Sequence, residues 1–149
     1  MRNKANMLSL LCIVSIMSVS FRTNETGNLT VSILNIRNAK GEIECALFNK
    51  ADGFANDVTK SYKRVRGEIT NGTCSILFDG IPYGEYAVEM YHDENNNKQF
   101  DETWYGMPTE GVGVSNNPKV GVFSPPKFET ARFTFDVSQK TISIQMKYL

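Results

Sequence analysis

Between His92 and Asp101 the chain reads His-Asp-Glu-Asn-Asn-Asn-Lys-Gln-Phe-Asp, which sets side-chain oxygens at Asp93, Asn95, Asn97 and Asp101, offsets one, three, five and nine of a loop. Hard divalent cations are held by such oxygens: calcium takes about six to eight at roughly 2.3–2.6 Å, and alternate residues of a tightly curved loop converge on one ion. The carbonyl of Gln99, at position seven, extends the match. Two landmarks of a calcium loop differ. Position six, where glycine makes the sharp turn, is Lys98, and position twelve, where a bidentate glutamate closes the shell, is Trp104. Asn97 or Lys98 must then take the left-handed backbone angle, and Glu102 or Glu110 must supply the last carboxylate. An all-oxygen set favours calcium over zinc, with magnesium also compatible, because His92 is the single histidine. The competing account is a polar turn whose Asp and Asn side chains bond their own backbone.

Beside this loop, Trp104, Tyr105, Glu110 and the Asn116-Asn117 pair, together with His92, form a candidate ligand surface. Aromatics next to amides suit a glycan or an unknown protein partner. Large aromatics more often bury their area, so Trp104 and Tyr105 are also expected to cap the core. Catalysis has little support. His92 has no local nucleophile motif beside it, and Cys45 and Cys74 lack Cys-x-x-Cys spacing. The expectation is a non-enzymatic binding domain, with a carbohydrate-binding module as the alternative and a hydrolase built on His92 as the remote one.

The elements that must position these residues alternate with a period of two. Leu29, Val31 and Ile33 share one face, as do Ile43, Cys45 and Leu47, and the turn residues of Asn38 to Gly41 between them predict a hairpin. A polar strand over 62–69, an Asn71-Gly72 type I′ turn, and a strand over 73–78 follow. Further strands cover 85–91, 131–137 and 141–148. From Tyr91 onward, about forty residues rich in Asn, Asp, Gly and Pro form a connection long enough to be functional or pinned. Within it Phe123-Ser124-Pro125-Pro126 and Phe128 read as an extended strap returning to the sheet. Seven short strands predict an all-β, Greek-key β-sandwich with one long polar loop region.

The first twenty residues have the layout of a secretory signal: Arg2 and Lys4, then an apolar run from Met7 to Val19, then small residues at Ser18 and Ser20. Residues 21–149 are then one exported domain, secreted or periplasmic, with no membrane insertion after cleavage. Cys12 follows the bulky Leu11, which argues against lipid attachment. Without Arg2 and Lys4 the 16 basic residues become 14, against 16 acidic ones. No overall positive field draws in nucleic acid. Two cysteines remain, Cys45 and Cys74, and in an oxidising compartment one disulfide is the simplest reading, with two buried thiols as the alternative.

Several motifs in one order carry a resemblance: Ile81-Pro82-Tyr83-Gly84-Glu85-Tyr86, His92-Asp93-Glu94-Asn95-Asn96-Asn97 with Asp101, Tyr105-Gly106-Met107-Pro108-Thr109-Glu110-Gly111, Ser115-Asn116-Asn117, and Pro125-Pro126-Lys127-Phe128-Glu129. They resemble a bacterial exported family catalogued as domain of unknown function 2141. The resemblance implies a single, mostly β, secreted or periplasmic domain with the His-Asp-x-Asn-x-Asn loop as signature, and no established activity. This chain has Lys98 where the family shows glycine and Val114 where it shows an aromatic. The Pro-Tyr-Gly-Glu-Tyr step is also similar to transthyretin-like and immunoglobulin-like sandwiches, an analogy of fold alone.

Overall fold

The computed structural model describes residues 25–119 and 125–149. The expected signal at 1–20, Cys12, and the Phe123-Ser124 part of the strap lie outside these residues. Eight strands follow in order: β1 (Thr26–Leu34), β2 (Glu42–Phe48), β3 (Lys63–Glu68), β4 (Cys74–Pro82), β5 (Gly84–Asp93), β6 (Gly111–Val114), β7 (Phe133–Phe135) and β8 (Gln139–Gln145). They form a β-sandwich of two sheets, ordered β4-β1-β8 and β3-β2-β5-β6, with β7 pairing with β5.

The alternation read from the sequence supplies the inner faces. Leu29, Val31 and Ile33 of β1, Ile76 and Phe78 of β4, and Ile144 of β8 meet Ile43 and Leu47 of β2 and Val88 and Met90 of β5 in one buried cluster. Each such side chain contributes about 1.5–3 kcal/mol by leaving water. β1 and β2 do not pair, correcting the expected hairpin: β1 lies between β4, antiparallel, and β8, parallel, whereas β2 lies between β3 and β5. Their apolar faces look at each other across the core. The Asn71-Gly72 turn is present, with φ of 51° and 73°. Only Thr70 and Thr73 pair across it, because β3 and β4 then diverge into different sheets.

Among the described residues the strands number eight where seven were expected, because β6 lies inside the long polar connection. Its inward positions are Gly111 and Gly113, where a Cβ would strike the Tyr148 ring and crowd Ile144 and Met90 respectively. A second cluster covers the outer face of the larger sheet: Phe54, from the connection after β2, packs edge-on against Phe48 and Phe128, over Ala46 and Ala87. Phe128 belongs to a single helical turn, Phe128–Ala131.

Cys45 and Cys74 are free thiols, both buried in the core, in place of the expected disulfide. Burial raises both thiols, Cys74 to about 11 and Cys45 well above its ordinary value.

Candidate functional site

β5 ends with His92 facing the core and Asp93 facing the opposite side, as the strand period requires, and both are fully buried. The His92 ring is held at both nitrogens: Nε2 lies 2.6 Å from the Lys40 carbonyl and Nδ1 lies 2.9 Å from the Tyr148 hydroxyl. A carbonyl only accepts, so Nε2 carries the proton, and in the neutral ring Nδ1 accepts from Tyr148. The same hydroxyl accepts the Arg37 N–H at 3.2 Å. His92 is therefore a bolt between the β1–β2 connection and the C-terminal segment, correcting its place on a ligand surface.

Asp93 anchors the loop that follows. Its Oδ2 accepts from Arg66 Nη1 at 3.1 Å and the Lys98 N–H at 2.9 Å, and its Oδ1 accepts the Asn97 N–H at 3.1 Å. Lys98 has φ 62° and Asn96 φ 57°, so two left-handed residues curl the chain back over Asp93. Asn95 Oδ1 accepts the Asn97 N–H at 3.0 Å, and Asn97 Oδ1 accepts the Gln99 N–H at 2.8 Å. The Asx-turn bonding anticipated by the polar-turn account is thus present. It coexists with convergence: Asn95 Nδ2 donates to Asp101 Oδ2 at 2.6 Å, and Asn97 Nδ2 donates to both Asp101 oxygens at 3.0 and 2.9 Å. Asn95 and Asn97 thus gather their amides on Asp101, while the Asp93 oxygens are taken up by Arg66 and by the Asn97 and Lys98 N–H groups. Gln99 is exposed. Among the described residues, no three His, Cys, Asp or Glu side chains gather as a metal-binding group; half of this loop's side-chain donors are amides.

Glu110, buried at the start of β6, ties the loop shut. Its Oε1 accepts the Glu94 N–H and its Oε2 the Asp101 N–H, each at 3.2 Å. Burial raises its pKa, against the pull of those two bonds. Glu94 turns away to Arg37, 2.7 Å from Nε, and Asn38. Burial raises Glu94 too, but these partners outweigh it and the carboxyl sits below its ordinary value. Gly41, at φ 66°, lies where any Cβ would overlap the Asp93 carbonyl.

The remaining candidates separate. Trp104 is 94% exposed and Tyr105 58%, so neither caps the core. Asn116 and Asn117 are exposed, but their side-chain amides are engaged with neighbouring backbone. Asn116 donates to the carbonyls of Thr130 and Arg132, while Asn117 accepts the Gln145 N–H at 2.7 Å and donates to the Ser143 carbonyl at 3.2 Å. Asn117 thereby acts as one residue of an added strand along β8. Ser115 likewise fills the gap between β6 and β7, accepting the Val88 N–H and donating to the Ala131 carbonyl.

The sequence reading missed Arg66, whose Nε donates to Glu44 at 2.7 Å while Nη1 holds Asp93. Its signal was the basic pair Arg64 and Arg66 opposite the acidic pair Glu42 and Glu44, which β2–β3 pairing brings together. Also missed was Glu89, a partly buried carboxyl on the outer face of β5.

The profile of a family described as "Uncharacterized protein conserved in bacteria (DUF2141)" matches residues 31–143. No curated protein in the comparison matches the chain. Among solved structures the chain is similar, at 9% identity and a TM-score of 0.43, to a fimbrial assembly protein from Parabacteroides distasonis. That likeness covers 82% of this chain and 53% of the other, so this chain spans about half of that protein's length.

Proposed function

Because the chain belongs to the DUF2141 family of bacterial proteins, we propose that it is an exported, non-enzymatic binding module whose His92–Asp101 loop is closed by a calcium ion. The observation that carries the reading is the backbone at Lys98. Its φ of 62° supplies, at position six, the left-handed turn that a calcium loop otherwise takes from glycine. On this reading that turn lets Asp93, Asn95, Asn97 and Asp101 close on one ion, with the Gln99 carbonyl as the fifth donor in the spacing. Asp101 is held only by amide N–H groups, which a cation displaces when the two amides rotate to present oxygen.

Charge sets the strength. Arg66 already neutralises part of Asp93, leaving Asp101 as the loop's main uncompensated carboxylate. Few charged ligands place a site in the weak range of extracellular modules, about 0.1–1 mM. The non-enzymatic part is supported by His92, whose ring is buried with both nitrogens engaged. Export is supported by the basic-then-apolar opening of the sequence. Among the described residues no helix is long and apolar enough to cross a membrane.

Thermal melts of the mature domain in excess calcium and in chelator test the reading. At tenfold the dissociation constant, mass action adds about 1.4 kcal/mol, or about 4–6 °C for a domain of this size. Equal melting temperatures at 10 mM calcium, on the order of ten times the weakest affinity expected, remove the cation from the account.

A further inference from the structure

Residues 101–109 fold as a braced finger. At its base the Asp101 carbonyl accepts from Thr109 twice, from N–H at 3.0 Å and Oγ1 at 3.1 Å. Nearer the tip the Thr103 N–H donates to the Met107 carbonyl at 2.7 Å, the Met107 N–H donates to Thr103 Oγ1 at 3.0 Å, and the Gly106 N–H donates to the Thr103 carbonyl at 2.9 Å. Gly106, at φ 81°, makes the turn. The tip carries Trp104 and Tyr105 in the open, ring centroids 5.1 Å apart and planes at 84°. A solvent-facing indole on a hydrogen-bonded support forgoes its own burial, and the backbone beneath it has little conformational freedom left to lose on binding.

We infer that this finger is the module's recognition end and stacks on the ring face of a neutral saccharide. The inference rests on the proposed reading, in which the cation-closed loop fixes the finger's base at Asp101. Charge argues for the neutrality. From Gln99 to Pro118 there is no Lys or Arg to pair with phosphate, anionic headgroups or sulfated or uronic sugars, so the finger offers an anion no basic partner of its own. Area argues against a protein partner. Two aromatic side chains offer roughly 300–500 Å², whereas a stable protein interface takes about 800 Å² from each side. A pyranose fits both limits: its C–H face covers the indole, its edge meets the perpendicular phenol, and the Tyr105 hydroxyl reaches the sugar's polar rim.

Trp104 is the only tryptophan in the chain, so selectively excited tryptophan emission reports on the finger alone. The mature domain is titrated with cellohexaose, maltohexaose and chitohexaose, and separately with phosphatidylcholine vesicles with and without phosphatidylglycerol, each in calcium and in chelator. The expected result is a saturable emission change with at least one hexasaccharide and none with vesicles. Retention of Trp104→Ala on the matching insoluble polysaccharide falls by about tenfold or more, the scale of losing a central aromatic anchor, at an unchanged melting temperature. No response to all three sugars, or a response to vesicles in their place, overturns the inference. Sugar binding without a calcium shift in melting overturns only the cation reading; a calcium shift without sugar binding overturns only this one.

Discussion

The backbone N–H of Ala55 donates to Glu89 Oε2 at 2.6 Å, joining the connection after β2 to the middle of β5 across 34 residues. Ala55 sits at φ 60°, an angle an alanine adopts at a cost, and its neighbour Phe54 is buried against Phe48 and Phe128. Glu89 thus stands at the margin of the second apolar cluster, opposite Ala46 on β2 and Val114 on β6. Burial there lifts its carboxyl to about 7, with the Ala55 bond pulling the other way.

A folded-state pKa above the unfolded one means that the native protein binds the extra proton. The contribution of Glu89 is therefore fully present below about 4.5 and is lost as pH rises toward about 7. The loss is on the order of 3 kcal/mol. Glu89→Gln, which keeps an acceptor for Ala55 and never ionises, should gain stability relative to the wild type between pH 5 and pH 8. Urea melts of both proteins at the two pH values measure this; a difference that does not change with pH means that Glu89 is not held neutral.

Lys98 stands where a calcium loop takes glycine, and its backbone is left-handed, at φ 62°. Relieving a non-glycine residue of that conformation is worth about 1 kcal/mol. Removing the ammonium also takes a positive charge away from Asp93 and Asp101. Lys98→Gly should raise the unfolding free energy by about 1 kcal/mol and tighten calcium binding, whereas Lys98→Ala should tighten calcium binding by its charge alone and gain no stability. Calorimetric titration and melting separate the two effects, and a Lys98→Gly protein no more stable than Lys98→Ala contradicts the backbone argument.

Alternation made the inner faces of β1, β2, β4, β5 and β8 legible, because period two is imposed by the strand itself. Pairing was not legible: Leu29, Val31 and Ile33 carry the same pattern whether their neighbours are Ile43 and Leu47 beside them or across the core. β6 was hidden for a different reason. Its Gly111 and Gly113 read as loop residues, yet at Gly111 the Tyr148 ring fills the space a Cβ would take, and at Gly113 the Ile144 and Met90 side chains leave a tight fit for one. At the site, the spacing of Asn95, Asn97 and Asp101 anticipated the contact of the two amides with the Asp101 carboxylate. The roles of Arg66 and the Lys40 carbonyl depended on contacts far along the chain, which no local pattern records. Trp104 was expected to favour burial by size, and its exposure is set by the finger that lifts it clear.

The Tyr148 hydroxyl serves His92 and Arg37 at once, and the Arg37 guanidinium lies 4.5 Å from the centre of its ring. Tyr148→Phe keeps the ring that β6 packs against but leaves the buried His92 Nδ1 without a donor. The expected loss is about 1–2 kcal/mol in a urea melt, with saccharide binding unchanged, since the finger does not touch this bond. Wild-type stability in Tyr148→Phe would show that the His92 ring is satisfied in some other way.

Glu110 should matter more than any residue of the loop it closes. One carboxylate satisfies the backbone N–H groups of Glu94 and Asp101, which bracket the six residues from Asn95 to Phe100. No single neutral side chain replaces it fully, since glutamine offers one oxygen where two are used. Glu110→Gln should cost roughly 1–2 kcal/mol and Glu110→Ala roughly 2–4 kcal/mol, the penalty of stranding one or both donors. The loop should also open locally before the sandwich unfolds, because its bonds lie at the edge of the structure. Lys98 is the only basic residue between Asn95 and Pro118, so trypsin reads that opening as a single cut after Lys98. Cleavage there should accelerate in the order wild type, Glu110→Gln, Glu110→Ala, and calcium should slow it in all three if the cation bridges Asp93 and Asp101 independently of Glu110. Calcium protection that vanishes with Glu110 would instead make this carboxylate a ligand, in the place where a calcium loop usually carries its closing glutamate.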